Sequence, residues 1–271
     1  MIKIYGLTGY PLEHSLSKEY FDEKFRIPPP LLGRGQGEGL GEHGRHGLHG
    51  LHGLHGLQYE LYPCKTIDDL QDLIRTHDDL FGLNVTIPFK IKILDILDDL
   101  DEVAAKIGAV NCITIDRSGG RARTKGYNTD WIGFKRSFEK AFGPVEGSAL
   151  ILGSGGAAKA VGYALDTMGI SFSVVSREEQ GDLRYSDVTM ERCSDIRYII
   201  NATPVGMFPD IKDCLPLPYE GITDQHMVFD LVYNPVETEL MKRAKARGAR
   251  VCNGLEMLKI QAEESWRIWG I

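Results

Sequence analysis

Two kinds of hydrophobic spacing alternate along this chain, which is typical of proteins that combine strands with helices. Short apolar runs in the first half predict strands at residues 2–7, 58–63, 82–87 and 110–116. Apolar residues repeated every three or four positions predict helices at residues 17–25, 90–97 and 102–107. The first half of the chain is therefore predicted to form an α/β domain.

A second set of elements begins near Asp130. A helix at 131–142 is followed by a short apolar strand at 149–152, a glycine-rich loop and a helix that starts near residue 157. Further strands are predicted at 172–175, 198–200 and 228–231, and together these elements predict a parallel sheet. The last helix, 255–269, lies beyond this unit, and we expect it to pack back on the first domain.

Residues 27–57 interrupt this order. They open with three prolines, and from position 41 to position 56 every third residue is glycine, with five histidines between the glycines. Such a segment buries too little apolar surface to offset the entropy of ordering it. The repeat is too short and too poor in proline for collagen, and a histidine-rich tract can also bind metal. We interpret it as a flexible low-complexity insertion without a physiological metal site.

Composition narrows the class of protein. The 271 residues suffice for about two domains, and the net charge of −7 disfavours nucleic acid or a membrane surface as partner. The chain begins with a predicted strand rather than a signal peptide, and no run of 18 apolar residues occurs. Its five cysteines are odd in number and lack C-x-x-C spacing, which indicates reduced thiols. We expect a cytoplasmic protein, monomer or homodimer, with a small-molecule substrate.

The loop at 153–158 has the pattern G-x-G-x-x-A between a strand and a helix. Its glycines permit a tight turn and let the backbone approach a pyrophosphate at the helix N-terminus. The same pattern occurs in ordinary strand-to-helix turns, so the surrounding strand–helix–strand context carries the prediction. After the next strand come Ser176, Arg177, Glu178 and Glu179. The arginine favours the 2′-phosphate of NADP and an acid favours the ribose of NAD, which leaves the cofactor open.

Three polar groups are candidates for the chemistry. Lys90 follows a predicted strand in the first turn of a helix, where it is either solvated or, if desolvated, suited to donating a proton to a ketone. Residues 128–130, Asn-Thr-Asp, are either a helix N-cap or part of a site. Ser15 and Ser17 precede the first helix, where they either cap it or hold a carboxylate, and His14 beside them is interpreted as structural.

Together these stretches resemble the shikimate dehydrogenase family over nearly the whole chain except residues 27–57. The motifs that carry the resemblance, in order, are GYPLEHSLS at 9–17, NVTIPFK at 84–90, GAVN at 108–111, NTD at 128–130, GSGGA at 153–157, NATP at 201–204, DLVYNP at 230–235, and NGLEML at 253–258 followed by Gln261. The resemblance implies a substrate-binding α/β domain at 1–128, a Rossmann-like NADP-binding domain at 129–252, and a C-terminal helix at 253–271 that returns to the substrate domain.

The resemblance also implies a reaction, the NADPH-dependent reduction of 3-dehydroshikimate to shikimate in aromatic amino-acid (chorismate) biosynthesis, with specific residues. The catalytic pair would be Lys90 and Asp130. The residues implied for substrate binding are Ser15, Ser17, Thr86, Lys90, Asn111, Asp130, Tyr233 and Gln261. The residues implied for cofactor binding are Gly153, Ser154, Gly155, Gly156, Ala157, Ser176, Arg177, Thr203, Leu231, Gly254 and Met257. No metal is implied.

Three departures from the family pattern leave alternatives open. The family usually has Asn-Arg-Thr where this chain has Ser176-Arg177-Glu178, so NAD use or dual use, as in quinate/shikimate dehydrogenases, stays possible. Lys18 stands where the family has proline, and the 27–57 tract replaces a short connection. A non-catalytic dinucleotide-binding regulator of the same fold is the alternative from another class, and the presence of Lys90 and Asp130 argues against it.

Overall fold

The computed structural model describes residues 2–13, 15–26, 56–143, 146–177 and 181–271. These residues form two six-stranded sheets, one within residues 3–127 and one within residues 148–253. The helices are α1 (Ser17–Arg26), α2 (Ile67–Thr76), α3 (Phe89–Lys92), α4 (Glu102–Ile107), α5 (Asp130–Phe142), α6 (Gly156–Thr167), α7 (Met190–Ser194), α8 (Glu239–Ala246) and α9 (Leu255–Trp269). The predicted α/β fold class is confirmed.

The first sheet is mixed. Its strands are β1 (Lys3–Gly9), β2 (Leu57–Pro63), β3 (Leu80–Val85), β4 (Asp99–Leu100), β5 (Cys112–Asp116) and β6 (Arg123–Tyr127), in the order β2-β1-β3-β5-β6-β4. Strands β2, β1 and β3 are parallel, whereas β5 runs antiparallel to both β3 and β6. Each of the β1 pairings joins strands that are separated in sequence, so register here depends on long-range contacts.

Helix α9 packs on the first sheet although it follows the second in sequence. Trp269 lies 4.8 Å from the Tyr5 ring, and its indole Nε1 donates to the carbonyl of Ile113 at 3.0 Å. Gly82 makes this approach possible, because a Cβ there would lie 2.4 Å from that same Nε1. The C-terminal helix therefore links the end of the chain to the first domain.

Lys18 also connects two elements of this domain. It lies in the first turn of α1, and its Nζ donates to the carbonyl of Tyr59 in β2 at 2.5 Å. The same ammonium lies 3.4 Å from a carboxylate oxygen of Glu60. The residue that departs from the family pattern thus ties α1 to the edge strand of the sheet.

The second sheet is entirely parallel. Its strands are β7 (Ser148–Leu152), β8 (Ser171–Ser176), β9 (Leu183–Arg184), β10 (Tyr198–Asn201), β11 (Met227–Asp230) and β12 (Arg250–Asn253), in the order β12-β11-β10-β7-β8-β9. Apolar side chains of β7, β10 and β11 are buried on both faces, beneath α5 and α6 on one side and beneath α8 on the other. This doubly covered parallel sheet is the Rossmann-like arrangement.

Several elements differ from the sequence predictions. Helix α2 was not predicted, although Leu70, Leu73 and Ile74 have helical spacing and Thr66 forms a capping box with Asp69. The predicted helix at 90–97 is one turn of α3 followed by a 3₁₀ turn, Ile93–Ile96. Strands β4, β6, β9 and β12 and helices α7 and α8 were also missing from the prediction. These are short elements, and the two-residue strands carry no periodic signal.

Within the described ranges, every helix is too short or too polar to cross a membrane. The predictions for His14, for Glu178 and Glu179, and for residues 27–55 of the insertion lie outside the described residues.

Candidate active site

A cleft of about 510 Å³ lies between the two sheets, a volume typical of sites for small molecules. On the second sheet it runs along the carboxyl ends of the strands, where ligands bind in open parallel sheets. All residues predicted for substrate and cofactor line it: Ser15, Ser17, Thr86, Lys90, Asn111, Asp130, Gly153, Ser154, Gly155, Gly156, Ala157, Ser176, Arg177, Thr203, Leu231, Tyr233, Gly254, Met257 and Gln261. Tyr185, Met207 and Ile91 also line the cleft and were not predicted.

An ion pair lies at the centre of the cleft. The Nζ atom of Lys90, in the first turn of α3, lies 2.5 Å from Oδ2 of Asp130, and the two side chains are only 16% and 6% exposed. Attraction between opposite charges is stronger at such partly desolvated positions than in open water. The lysine that the sequence left as either solvated or functional is paired and largely shielded from solvent.

Helix capping leaves Asp130 available for this pair. The N-cap position of α5 is Thr129, whose side chain makes no cap hydrogen bond, and the backbone N–H of Trp131 is instead directed to Oδ1 of Asn128 at 3.3 Å. Asp130 is the first helical residue, and a carboxylate is favoured there by the positive end of the helix dipole. Within the Asn-Thr-Asp tripeptide, Asn128 thus bonds to the helix backbone and Asp130 belongs to the site.

Two buried amides border the pair. The Nδ2 atom of Asn111, just before β5, donates to Oδ1 of Asp130 at 2.9 Å and lies 3.2 Å from Oε1 of Gln261 in α9. The Gln261 Nε2 donates to the carbonyl of Leu258, which directs its oxygen toward Asn111. Residues from α3, α5, α9 and the start of β5 therefore meet at one point.

Hydroxyl groups lie at the N-terminus of α1. The backbone N–H of Ser17 donates to Oγ of Ser15 at 3.3 Å. Burial raises the pKa of Tyr233, while hydrogen bonds that its oxygen accepts from the backbone N–H of Leu16 and from the Ser15 side chain act in the opposite direction. The Tyr233 hydroxyl therefore stays protonated at neutral pH. These three residues offer hydrogen-bond donors to an anionic group.

Glycines shape the loop between β7 and α6. Gly153 has φ +108°, and a Cβ there would lie 2.8 Å from Cγ2 of Thr203. A Cβ at Gly156 would lie 2.6 Å from Cβ of Lys90, whereas a Cβ at Gly155 would meet no atom within 4 Å. Gly155 thus faces open space at the start of a 12-residue helix that has no side-chain cap. The free N–H groups and the room beside them fit a dinucleotide pyrophosphate.

Polar residues follow the next strand. Ser176, the last residue of β8, places its Oγ 3.1 Å from Oγ of Ser154 in the glycine loop. Arg177 is exposed at the cleft, beside Tyr185. Burial raises the pKa of Tyr185, and the charge of Arg177 acts to lower it. A cation beside an aromatic ring at this position suits the phosphorylated ribose of NADP.

The loop after β10 is held by a buried carboxylate. Oδ1 of Asn201 accepts from the backbone N–H and the hydroxyl of Thr203, at 2.9 and 2.7 Å. Asn201 donates in turn to Oδ1 of Asp230 at 2.9 Å, and Oδ2 of Asp230 accepts from Thr238 at 2.6 Å. Asn201 and Asp230 occur in two of the family motifs but had no predicted role. They fix the loop that presents Thr203 to the cleft.

Asp230 should make the folded protein less stable as pH rises from about 4 to 6. Burial raises its pKa from the ordinary 3.8 to about 6, so the folded chain keeps a proton that the unfolded chain releases in this interval. The free energy of unfolding should fall by roughly 3 kcal/mol from this group between those pH values. Urea unfolding of the unmodified protein and of Asp230→Asn at several pH values measures this fall in the free energy of unfolding. If the free energies of unfolding of the two proteins differ by the same amount at every pH, the prediction is wrong.

Glycine loop, parallel sheet and buried lysine–aspartate pair together define a two-domain oxidoreductase that uses a dinucleotide. A family model described as the shikimate dehydrogenase substrate binding domain matches residues 51–113. A shikimate dehydrogenase (NADP(+)) of Methanococcus maripaludis is 32% identical, covering 98% of this chain and 91% of the relative. The chain therefore belongs to the shikimate dehydrogenase family, as the sequence predicted.

Solved structures agree with this assignment. Shikimate 5-dehydrogenase from Thermus thermophilus, in complex with NADP(H) and shikimate, is 30% identical with a TM-score of 0.76, covering 100% of this chain and 94% of that one. Quinate dehydrogenase from Corynebacterium glutamicum, in complex with NAD, is 25% identical with a TM-score of 0.76 and the same coverage. Members of this fold are thus known with either dinucleotide.

Proposed function

We propose that this protein catalyses the reversible reduction of 3-dehydroshikimate to shikimate with NADPH, a step of aromatic amino-acid biosynthesis. The observation that carries the proposal is the Lys90–Asp130 ion pair, which lies in the cleft between the hydroxyl cluster of α1 and the glycine loop of α6. The relatives named above are an NADP(+) enzyme and a structure with NADP(H) and shikimate, which supports both the substrate and the cofactor.

The substrate carries one carboxylate and several hydroxyls, and the cleft offers groups of matching chemistry. Ser15, Ser17 and Tyr233 supply hydroxyl donors for the carboxylate. Thr86, Asn111 and Gln261 supply groups that donate to and accept from ring hydroxyls. Both sets line the same cleft as Lys90, and we infer that a ring held by both would present its carbonyl to the ammonium.

When bound, NADPH supplies the hydride that adds to the carbonyl carbon. The protein supplies the proton. Lys90 donates a hydrogen bond to the carbonyl oxygen and transfers a proton as negative charge develops there, which yields the alcohol. Asp130 holds the ammonium in place, and the lysine regains its proton from solvent through the cleft. In the reverse direction, the same lysine accepts the hydroxyl proton.

The cofactor's adenosine end would lie at Ser154, Ser176 and Arg177, and its nicotinamide end at Thr203, Leu231 and Met257. Gly254 packs closely against Leu231 at the nicotinamide end, since a Cβ at Gly254 would lie 2.1 Å from the carbonyl oxygen of Leu231. This arrangement would direct the pyrophosphate to the N-terminus of α6 and the reactive ring toward Lys90.

The direct test of the function is reduction of the dinucleotide by shikimate, followed by absorbance at the nicotinamide band. NADP and NAD are used in parallel, each with shikimate and with quinate. Turnover with shikimate and NADP supports the proposal. Turnover only with NAD and quinate would replace it by a quinate dehydrogenase function, and no turnover with any pair would favour a non-catalytic regulator.

Replacing Arg177 by alanine should raise KM for NADP about tenfold and leave KM for NAD nearly unchanged. The guanidinium would pair with the 2′-phosphate, which NAD lacks, and one charge-assisted contact at an exposed site is of this size. Steady-state kinetics with both dinucleotides measures the change in KM for NADP and the change in KM for NAD. Lys242→Ala removes the same charge from the exposed face of α8 and serves as control. If the unmodified protein prefers NAD, Glu178 or Glu179 governs the choice instead.

A further inference from the structure

A chain of buried hydrogen bonds links the Lys90–Asp130 pair, through Asn111 and two residues that do not line the cleft, to Asn84. Behind Asn111 lies the hydroxyl of Thr129, 2.9 Å from its Nδ2, and beyond that the hydroxyl of Ser265, 3.4 Å from Oγ1 of Thr129. Ser265 in turn accepts from Nδ2 of Asn84 at 2.8 Å. Thr129 and Ser265 are 1% and 0% exposed, and neither lines the cleft.

Backbone groups fix the direction of these hydrogen bonds. The N–H of Thr129 can only donate, and it donates to Oδ1 of Asn111 at 2.6 Å. The amide of Asn111 must therefore turn its NH₂ toward Asp130 and toward the Thr129 hydroxyl. At the other end, the carbonyl of Gln261 can only accept, and Ser265 donates to it at 3.0 Å.

These fixed groups limit how the two hydroxyls can be arranged. Ser265 has used its proton on the Gln261 carbonyl, so it can only accept from Asn84 and from Thr129. Thr129 directs its proton to Ser265, to Oε1 of Gln261 or to Oδ1 of Asn111, the last two 3.3 Å away, and accepts from Nδ2 of Asn111 at 2.9 Å. The oxygen of Thr129 thus holds one amide hydrogen of Asn111 while the other is held by Asp130.

We propose that Thr129 and Ser265 are positioning residues for the reaction. Their hydroxyl pair keeps the Asn111 amide turned so that it donates to Oδ1 of Asp130, which leaves Oδ2 directed at Lys90. The inference rests on the proposed function, since it concerns the geometry of the pair that carries out proton transfer. A buried polar network of this kind holds its members in place only when each donor and acceptor is satisfied.

Thr129 allows a test that separates the hydroxyl from the packing. Thr129→Val keeps the volume and loses the hydroxyl, whereas Thr129→Ser keeps the hydroxyl and loses a methyl group. We expect Thr129→Val to lower kcat about tenfold with KM for NADPH unchanged, because tenfold corresponds to the loss of about one hydrogen bond. Thr129→Ser should retain kcat within about twofold, even if it unfolds at a lower temperature.

Ser265→Ala should lower kcat by a similar factor, and the double variant with Thr129→Val should be little worse than either single one, since the hydroxyls act as a unit. Ser137→Ala is the matched control: that buried serine bonds to the carbonyls of its own helix, Gly133 and Phe134, and its loss should leave kcat unchanged. Thermal unfolding of every variant accompanies the kinetics.

Thr129→Val with the kcat of the unmodified protein, or Thr129→Ser impaired as much as Thr129→Val, would overturn the inference while the proposed function stands. Failure of the proposed function itself has a different signature, since the unmodified protein would not reduce 3-dehydroshikimate, and the positioning role would fall with it. Should Ser265→Ala not fold, the two Thr129 variants alone decide the outcome.

Discussion

Alanine in place of Lys90 should lower kcat by roughly 10²- to 10⁴-fold, which is the usual contribution of a positioned acid–base group. In the proposed mechanism the variant removes the proton donor to the carbonyl and the positive charge that stabilises the developing oxyanion. KM for NADPH should change little, because the proposal assigns cofactor binding to the glycine loop. Initial rates of NADPH oxidation with 3-dehydroshikimate measure both constants.

The matched control is Lys92→Ala. Lys92 lies two residues further in the same short helix, but its side chain is exposed, so its loss should leave kcat unchanged. Lys90→Ala leaves Asp130 without its partner, yet Asn111 still donates to it and water can reach the site from the cleft. Circular dichroism should therefore show a folded protein. Near-normal turnover of folded Lys90→Ala would remove this residue from the mechanism.

Valine in place of Gly155 should lower kcat/KM for NADPH by about 100-fold or more while leaving the fold intact. Gly155 has φ −75° and ψ −175°, an extended conformation that valine adopts readily. A Cβ at this position would meet no protein atom within 4 Å, so the new side chain would occupy the space assigned to the pyrophosphate. A 100-fold loss corresponds to about 2.7 kcal/mol of binding free energy.

Thermal unfolding and titration calorimetry separate the two effects. The melting temperature and the affinity for shikimate should stay near those of the unmodified protein, and only the dinucleotide should bind more weakly. Gly119→Val is the control, because Gly119 also has open space around its Cβ but lies in the exposed turn between β5 and β6. Unchanged dinucleotide affinity in Gly155→Val would place the pyrophosphate elsewhere.

Elements with strong periodicity were predicted well from the sequence. Helices α4 and α9 begin and end where their apolar spacing predicted, and the four predicted strands of the second sheet differ from the prediction by at most one residue at each end. Helix α2 shows that a signal can be overlooked, since both its apolar face and its capping box are visible in the sequence. In contrast, the local sequence of β5 does not indicate that this strand is antiparallel, because strand direction depends on which strand it pairs with in the folded protein.

For the site, the order of motifs along the chain was enough to place this protein in its family and to select the residues of the cleft. Sequence could not decide whether Asp130 caps a helix or holds a lysine. In the structure Asn128 accepts from a backbone N–H in the first turn of α5 and Asp130 forms the ion pair, because the first sheet brings α3 beside the start of α5, 40 residues further along the chain.

Sequence by itself thus determined the α/β pattern, the glycine loop and the family, since these depend on residue type and local spacing. Only the tertiary structure decided how the polar groups pair. Thr129 and Ser265 meet across 136 residues because α9 returns to the first sheet, where Trp269 packs against Gly82. Hydrogen bonds are short-ranged and directional, so the partners of a buried side chain follow from how distant elements dock and not from its neighbours in sequence.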